Sequence, residues 1–255
     1  MNAFYFGRSA CPLFGIYHAP NANARPVGVV LCPPIGQEYM RTHRAFRQLA
    51  LQLNKAGVHA LRFDYSGIGD SSGDNTDATM ARWFDDVAAA IDELKDTAGV
   101  ATVSVVGIRL GASLAFLATR ARADIDQVVL WDPVVEGGGY VKELIAVSEA
   151  PTLNVDSAAS DETIGVGGFA LGSGFRREIE SIDLCAINAH AAKRVFLVAS
   201  EERPEYLRLR ECLGAQPVKS AYAHIPGTSN WVDAEQMGAV LLPQAIIQAI
   251  VASMS

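Results

Sequence analysis

The chain alternates short apolar runs with longer segments in which apolar residues recur every three or four positions. The short runs have the length and β-branched content of buried strands, and the longer segments each carry one apolar face, as helices packed on a sheet do. The pattern predicts strands at 3–6, 13–18, 27–32, 58–63, 103–106, 127–131, 195–198 and 218–225. The first two form a hairpin. The alternation that follows predicts an α/β fold with a mostly parallel sheet covered by helices on both faces.

Helical periodicity is clear in four of the intervening segments. One helix is expected to start after Thr42, which is a good N-cap residue, and to end at Gly57. A second has its apolar face between residues 83 and 94, and a third covers about 206–212. The closing helix begins or is interrupted at Pro243.

Residues 134–190 differ from the rest of the chain because they lack clear periodicity and contain glycine clusters at 137–139 and 165–174. This segment is expected to hold short helices at best. We interpret it as a cap or lid inserted into a single domain that covers residues 1–255.

Composition narrows the possible function classes. The 255 residues are 50% hydrophobic and 19% charged, with a formal charge of −7 and no basic run, which argues against a nucleic-acid partner. The four cysteines are dispersed and lack paired ligand spacing, so we expect reduced thiols in a cytoplasmic protein and neither a metal site nor a cofactor. No signal peptide is visible, and no apolar run is long enough to cross a membrane.

The stretch from 102 to 118 organises the rest of the chain. Its buried strand, sharp turn and apolar helix carry the motif Gly-x-Arg-x-Gly, in which Gly107 and Gly111 flank Arg109. The glycines suit a turn that brings the helix and its neighbouring strands close together. An arginine at the start of a helix opposes the positive end of the helix dipole, so it needs a carboxylate, a bound anion or solvent.

This stretch resembles the nucleophile elbow of α/β-hydrolases of the serine aminopeptidase and esterase type. Pro33-Pro34-Ile35-Gly36 is similar to the segment that supplies an oxyanion-hole N–H in that family, here from Ile35, with Leu110 as the second donor. The loop at 64–71 and the pair Trp83 and Asp86 are also similar. The Pro-Pro-x-Gly form and the arginine-containing elbow resemble, more narrowly, hydrolases associated with exosortase systems.

The resemblance implies a serine, an acid and a histidine, and this chain departs from that set. Arg109 stands where the serine belongs, and an arginine cannot act as a nucleophile at working pH. The acid position falls on Glu201 or Glu202, and Asn230 stands where the histidine is expected. We therefore predict a degenerate triad without ordinary serine hydrolase activity.

Two interpretations of Arg109 stay open at this point. In one, its guanidinium is an anion receptor that binds a small acidic or acyl ligand at the former active site. In the other, it is a structural plug paired with Asp132, Glu38 or Glu201. The sequence does not determine whether the protein binds a protein partner or forms a homo-oligomer.

Further residues are candidates for the binding site because each one follows a strand or lies near the start of a helix at the expected site. Those proposed to line the pocket, besides Arg109, are Asp132, Glu38, His43, Ser66 and Trp231. The alternative function is an active hydrolase, thioesterase or lyase in which Arg109 and the oxyanion N–H groups stabilise negative charge. Its base would be a relocated His224, or else Glu201 or Asp132. Ser113 and Cys32 could serve as displaced nucleophiles, but a packing serine and a buried, inert cysteine are the expected states.

Overall fold

The computed structural model describes residues 1–20, 23–148, 163–166, 169–227 and 242–254. The strands are β1 (Asn2–Arg8), β2 (Cys11–His18), β3 (Val27–Cys32), β4 (His59–Phe63), β5 (Thr102–Ile108), β6 (Ile125–Trp131), β7 (Thr163–Val166), β8 (Phe169–Gly172), β9 (Arg194–Ala199) and β10 (Lys219–His224). The helices are α1 (Gly36–Lys55), α2 (Met80–Ala98), α3 (Leu110–Thr119), α4 (Gly137–Ser148), α5 (Ser173–Glu180), α6 (Pro204–Gly214) and α7 (Gln244–Ser253).

Eight strands form one sheet in the order β1-β2-β4-β3-β5-β6-β9-β10. The pairs β1–β2 and β2–β4 are antiparallel, and all other neighbours are parallel. Strand β5 lies in the middle, and its residues are buried on both faces, which explains its continuous β-branched run. The predicted α/β architecture is confirmed.

Helices cover both faces of this sheet. Helices α1 and α7 pack together on one face with apolar residues of the central strands, and α2, α3 and α6 belong to the core on the other face. Because the parallel strands all end at the same edge, the loops after β3, β5, β6 and β9 meet there. Within the residue ranges given above, no helix combines the length and the apolar character needed to span a bilayer.

Helix α1 begins seven residues earlier than the sequence predicted. Its N-cap is Ile35, and Thr42 lies inside the helix, where its hydroxyl donates to the main-chain carbonyl of Glu38 at 2.8 Å. The prediction of an N-cap at Thr42 was wrong because a threonine can return its hydrogen bond to the preceding turn. Glu38 therefore lies in the first turn of α1, and the helical backbone fixes its position.

The segment between β6 and β9 contains more regular structure than predicted. Helix α4 has 12 residues and starts at the glycine cluster, and β7 and β8 form an antiparallel hairpin. A Cβ on Gly137 would lie 1.6 Å from the carbonyl oxygen of Ile179, so this glycine permits close packing of α4 on α5. Gly137, in the first of the two glycine clusters, thus serves a helix contact.

We expect the substitution Gly111→Ala to lower the free energy of unfolding by about 3 kcal/mol, because an added Cβ would lie 2.3 Å from the carbonyl oxygens of Cys32 and Pro33. Gly174→Ala is the matched control, since a methyl group added there would meet no heavy atom within 4 Å, and its effect should stay within about 1 kcal/mol. Urea unfolding of both variants checks this prediction. Equal stability of the two would contradict the close approach of α3 to the β3–α1 loop.

Candidate functional site

Arg109 occupies a sharp turn between β5 and α3. Its backbone has φ 53° and ψ −126°, a conformation that is strained for a residue with a side chain. The Arg109 N–H donates to the carbonyl of Trp131 at 3.0 Å, and the Ala112 N–H donates to the Arg109 carbonyl at 3.0 Å. Two glycines permit this turn, because a Cβ on Gly107 would lie 2.3 Å from the carbonyl oxygen of Gly111.

The Arg109 guanidinium is held in a buried network of charged and aromatic groups. Its Nε donates to Glu38 Oε1 at 2.7 Å, and the Tyr140 hydroxyl donates to Glu38 Oε2 at 2.8 Å. The Tyr140 ring centroid lies 5.4 Å from Arg109 Cζ, within reach of a cation–π contact. The side chain of Arg109 is 6% exposed and that of Glu38 is 1% exposed. Both carboxylate oxygens of Glu38 are therefore used, and the charge of Arg109 is compensated from inside the protein.

The electrostatics of this network keep the arginine charged. Burial is the largest single influence and lowers the pKa of Arg109, but Glu38, Tyr206 and Tyr140 together outweigh burial, and the pKa is raised well above its ordinary value. Burial, reinforced by the neighbouring Glu38 charge, also raises the pKa of the Tyr140 hydroxyl well above its usual range. Tyr140 consequently stays a neutral hydrogen-bond donor.

A cavity of about 390 Å³ opens beside Arg109. One side is formed by the loop after β6 and the start of α4, and the other by the start of α6, which carries Arg203 and Arg208. Glu143 on α4 lies between two arginines: Arg109 Nη2 is 3.0 Å from its Oε2, and Arg203 Nη1 is 3.4 Å from its Oε1. The wall of the cavity thus contains the fixed positive charge of Arg109, which is paired with the carboxylate of Glu143.

The two positions predicted for the catalytic acid have different partners. Glu201 accepts a hydrogen bond from Arg203 Nε at 3.2 Å, whereas Glu202 Oε1 lies 3.5 Å from Nδ1 of His224. His224 ends β10, the last strand of the sheet. The structure therefore brings an acid and an imidazole together at the carboxyl ends of β9 and β10.

Asp132 is engaged by a neighbouring strand end. Its backbone has φ 44°, and its two carboxylate oxygens accept hydrogen bonds from the Ser200 N–H at 2.7 Å and the Ser200 hydroxyl at 2.5 Å. These bonds join the turn after β6 to the turn after β9. The described contacts thus show that Asp132 connects the two turns that follow β6 and β9.

Two predicted pocket residues lie away from the cavity beside Arg109. The Ser66 N–H and hydroxyl both donate to Asp86 Oδ2, at 2.8 and 2.7 Å, so this serine holds the loop after β4 to α2. His43 lines a separate cavity of about 110 Å³ with Arg62. Topology alone grouped these residues with Arg109 because it fixes the sheet edge but not the direction of each side chain.

The remaining predicted positions are settled only in part. Ile35 is buried immediately before α1, and Leu110 is the first residue of α3, directly after Arg109. These positions suit the oxyanion-hole assignment, which stays a prediction. Asn230 and Trp231 lie outside the described residues.

The two alternative nucleophiles are both buried. The Ser113 hydroxyl donates to the carbonyl of Val134 at 2.7 Å. Burial raises the pKa of the Cys32 thiol to about 12, a hydrogen bond with Tyr65 lowering it only in part, so the thiolate is scarce at neutral pH. Neither side chain is poised for attack on a substrate.

Sequence reasoning missed the residues that complete the site from the segment after β6. Tyr140 and Glu143 lie three residues apart on α4 and so share a helix face, but the glycines at its start concealed the helix. Arg203 directly follows the two glutamates considered for the acid position. Its proximity to Arg109 could not be seen without the packing of α6.

We expect the substitution Glu38→Gln to lower the free energy of unfolding by about 3 kcal/mol, because it leaves the buried Arg109 charge without its closest carboxylate. Asp85→Asn is the control: it breaks an ion pair with Arg8 that is exposed on both sides, and it should cost at most about 0.5 kcal/mol. The double variant Glu38→Gln/Arg109→Gln should recover part of the loss. Chemical denaturation measures the free energy of unfolding of the three variants. If Glu38→Gln unfolds with the same free energy as the wild type, the ion pair is not important for stability.

Comparisons with known proteins identify the surrounding scaffold. The sequence profile of the serine aminopeptidase S33 family matches residues 29–158. The human palmitoyl-protein thioesterase ABHD10 of mitochondria is 31% identical over 99 residues, which are 38% of this chain and 30% of that protein. The bovine protein is 34% identical over 97 residues, or 37% of this chain and 29% of its own length. The chain thus matches about a third of the length of these curated relatives.

Solved structures extend the likeness of the fold over the whole chain. Est1E of Butyrivibrio proteoclasticus with ferulic acid bound has a TM-score of 0.73 and 18% identity, covering 99% of this chain and 98% of that one. Mouse α/β hydrolase domain-containing protein 10 has a TM-score of 0.64 and 18% identity, with full coverage of both chains. At such identities the likeness shows the fold alone. Since the family profile covers just over half of the chain, the protein belongs to the serine aminopeptidase S33 family of α/β-hydrolases.

Proposed function

We propose that this protein is a hydrolase-fold binding protein that has lost the ordinary serine hydrolase mechanism and binds a small acidic or acyl ligand beside Arg109. The observation that carries the proposal is the arginine at the elbow, fixed by a 2.7 Å ion pair with buried Glu38. Acyl transfer by this fold requires a hydroxyl or thiol at that turn, which an adjacent base deprotonates. A guanidinium has no such proton to give up and no lone pair for attack.

Three hydroxyls near Arg109 support this proposal because they donate hydrogen bonds to other groups of the protein. Tyr140 donates to Glu38, Ser113 donates to a main-chain carbonyl, and Ser200 donates to Asp132. Each of these bonds would have to break before the hydroxyl could approach a substrate carbonyl. The surrounding groups fix the Arg109 guanidinium in position, as the binding of an anionic ligand requires.

The kind of ligand follows from the cavity and from the relatives. A volume of about 390 Å³ lies within the range of small-molecule sites. Part of its wall is apolar, from Pro133, Val134 and Val135, and part is charged, with arginines that include Arg109 and Arg203 next to glutamates. The thioesterase name of the partly matching curated relatives is consistent with an acyl group. A small acid with an apolar body suits both parts of the wall.

We expect a fluorophosphonate probe to leave the purified protein unlabelled, because no activated serine stands at the elbow. Intact-mass spectrometry after exposure to excess probe measures the labelling, with an active serine esterase as the positive control. Stoichiometric labelling at any serine of this chain would overturn the proposal.

A second candidate function, an active thioesterase or other hydrolase with relocated groups, is supported by one specific contact. Glu202 Oε1 lies 3.5 Å from His224 Nδ1, so an acid orients an imidazole at the ends of the last two strands. In this candidate, His224 would activate a water molecule and the helix N-terminus at Arg109 would stabilise the developing oxyanion.

Turnover of palmitoyl-coenzyme A separates the two functions. If the binding function holds, the wild type and His224→Asn show the same rate, equal to the background without protein. A rate above background that falls by about 100-fold in His224→Asn, and less in Glu202→Gln, would establish the second candidate instead. Release of free thiol is the readout, and the thermal midpoints of both variants check that they remain folded.

A further inference from the structure

The carboxylate of Glu143 lies where an anionic ligand would bind. Its two oxygens contact two different guanidiniums, Arg109 on the elbow and Arg203 before α6, at 3.0 and 3.4 Å. Glu143 itself belongs to α4, in the segment predicted as the cap. One carboxylate bridging two arginines at a cavity is the arrangement by which proteins bind carboxylate ligands.

Burial distinguishes the arginines from the glutamate. The Arg109 side chain is 6% exposed and that of Arg203 is 31% exposed, whereas Glu143 is 46% exposed. Glu143 can therefore rotate into solvent at low cost, while an arginine buried beside Glu38 cannot. The glutamate is the mobile partner of this contact.

The two arginines also keep their positions when Glu143 is removed. Arg109 retains the 2.7 Å contact with Glu38, and Arg203 retains Glu201 at 3.2 Å and Glu205 at 3.6 Å. The anion site is thus preorganised by carboxylates that do not bridge the two guanidiniums. Because the arginines are already in position, less conformational entropy is lost when a ligand binds.

Each arginine of the cavity wall keeps another carboxylate when Glu143 turns away: Arg109 keeps Glu38, Arg203 keeps Glu201 and Glu205, and Arg208 keeps Glu136 and Asp183. Glu143 differs from these groups because its one carboxylate contacts both Arg109 and Arg203. The position that it leaves is therefore the size of a single carboxylate between two guanidiniums, which points to a ligand with one carboxylate group.

We propose that Glu143 is an internal competitor at the ligand site, and that the ligand is a monocarboxylic acid whose carboxylate displaces Glu143 from Arg109 and Arg203. This inference rests on the binding function proposed above and names its ligand class. The apparent affinity of such a site is the intrinsic affinity multiplied by the fraction of molecules in which Glu143 is displaced.

The test compares hexanoate binding to the wild type and to Glu143→Gln by isothermal titration calorimetry at pH 7 and low salt. Glutamine keeps the size of the side chain and removes its charge. If Glu143 occupies the arginines about nine-tenths of the time, its neutralisation should tighten hexanoate binding about tenfold. Adding Arg203→Gln to Glu143→Gln should abolish that gain.

Glu180→Gln is the matched control. Glu180 is a partly exposed glutamate on α5 that pairs with Arg176 at 3.2 Å and does not line the cavity, so its neutralisation makes the same change in net charge. Its hexanoate affinity should equal that of the wild type. An equal gain in both variants would mean that net charge alone matters, and it would overturn the proposal.

The remaining outcomes separate this inference from the function on which it rests. Hexanoate affinity in Glu143→Gln that is equal to or weaker than in the wild type overturns the competitor role, as does absence of hexanoate binding in every variant. Binding of methyl hexanoate as tight as hexanoate overturns the carboxylate specificity but leaves an acyl-binding function in place. Fluorophosphonate labelling, by contrast, defeats the proposed function itself.

Discussion

The buried ion pair between Arg109 and Glu38 is the contact on which the rest of the site depends. A guanidinium that is 6% exposed requires a carboxylate, and Glu38 supplies it at 2.7 Å from the first turn of α1. That requirement links the loop after β3 to the loop after β5, since the two partners come from these neighbouring strands. The Tyr140 hydroxyl then satisfies the second oxygen of Glu38, which draws α4 into the same network.

The elbow keeps its geometry although the residue at its centre is an arginine. The strained backbone at Arg109 is stabilised by hydrogen bonds with Trp131 and Ala112 and by the close approach that Gly107 and Gly111 permit. None of these contacts involves the side chain at the centre. The turn is therefore a property of the scaffold, and it does not depend on which side chain stands at its centre.

Local pattern was sufficient to predict the sheet and the elbow, because both depend on short-range features. A continuous apolar run predicts a central strand such as β5, and paired glycines around Arg109 indicate a tight turn. The same reasoning stated that Arg109 needs a counter-charge and included Glu38 among three candidates. It could not choose among them, since the choice depends on the helical first turn of α1, which the sequence pattern did not reveal.

The second half of the site could not be predicted because it depends on contacts between distant segments. Three successive glycines usually weaken a helix, yet α4 begins with them, and the first, Gly137, approaches the Ile179 carbonyl too closely for a residue with a side chain. Glu143 and Tyr140 reach Arg109 only through that packing. Ser66 and His43 show the opposite error, in which residues at the correct edge of the sheet point elsewhere.

The dependence of Arg109 on Glu38 also limits how the site can evolve. A serine at position 109 would remove the cation and leave the Glu38 carboxylate, which is 1% exposed, without its closest positive charge. That unpaired charge would weaken the fold and repel any anion beside position 109. The two positions are therefore coupled, because a change of charge at either one requires a matching change at the other.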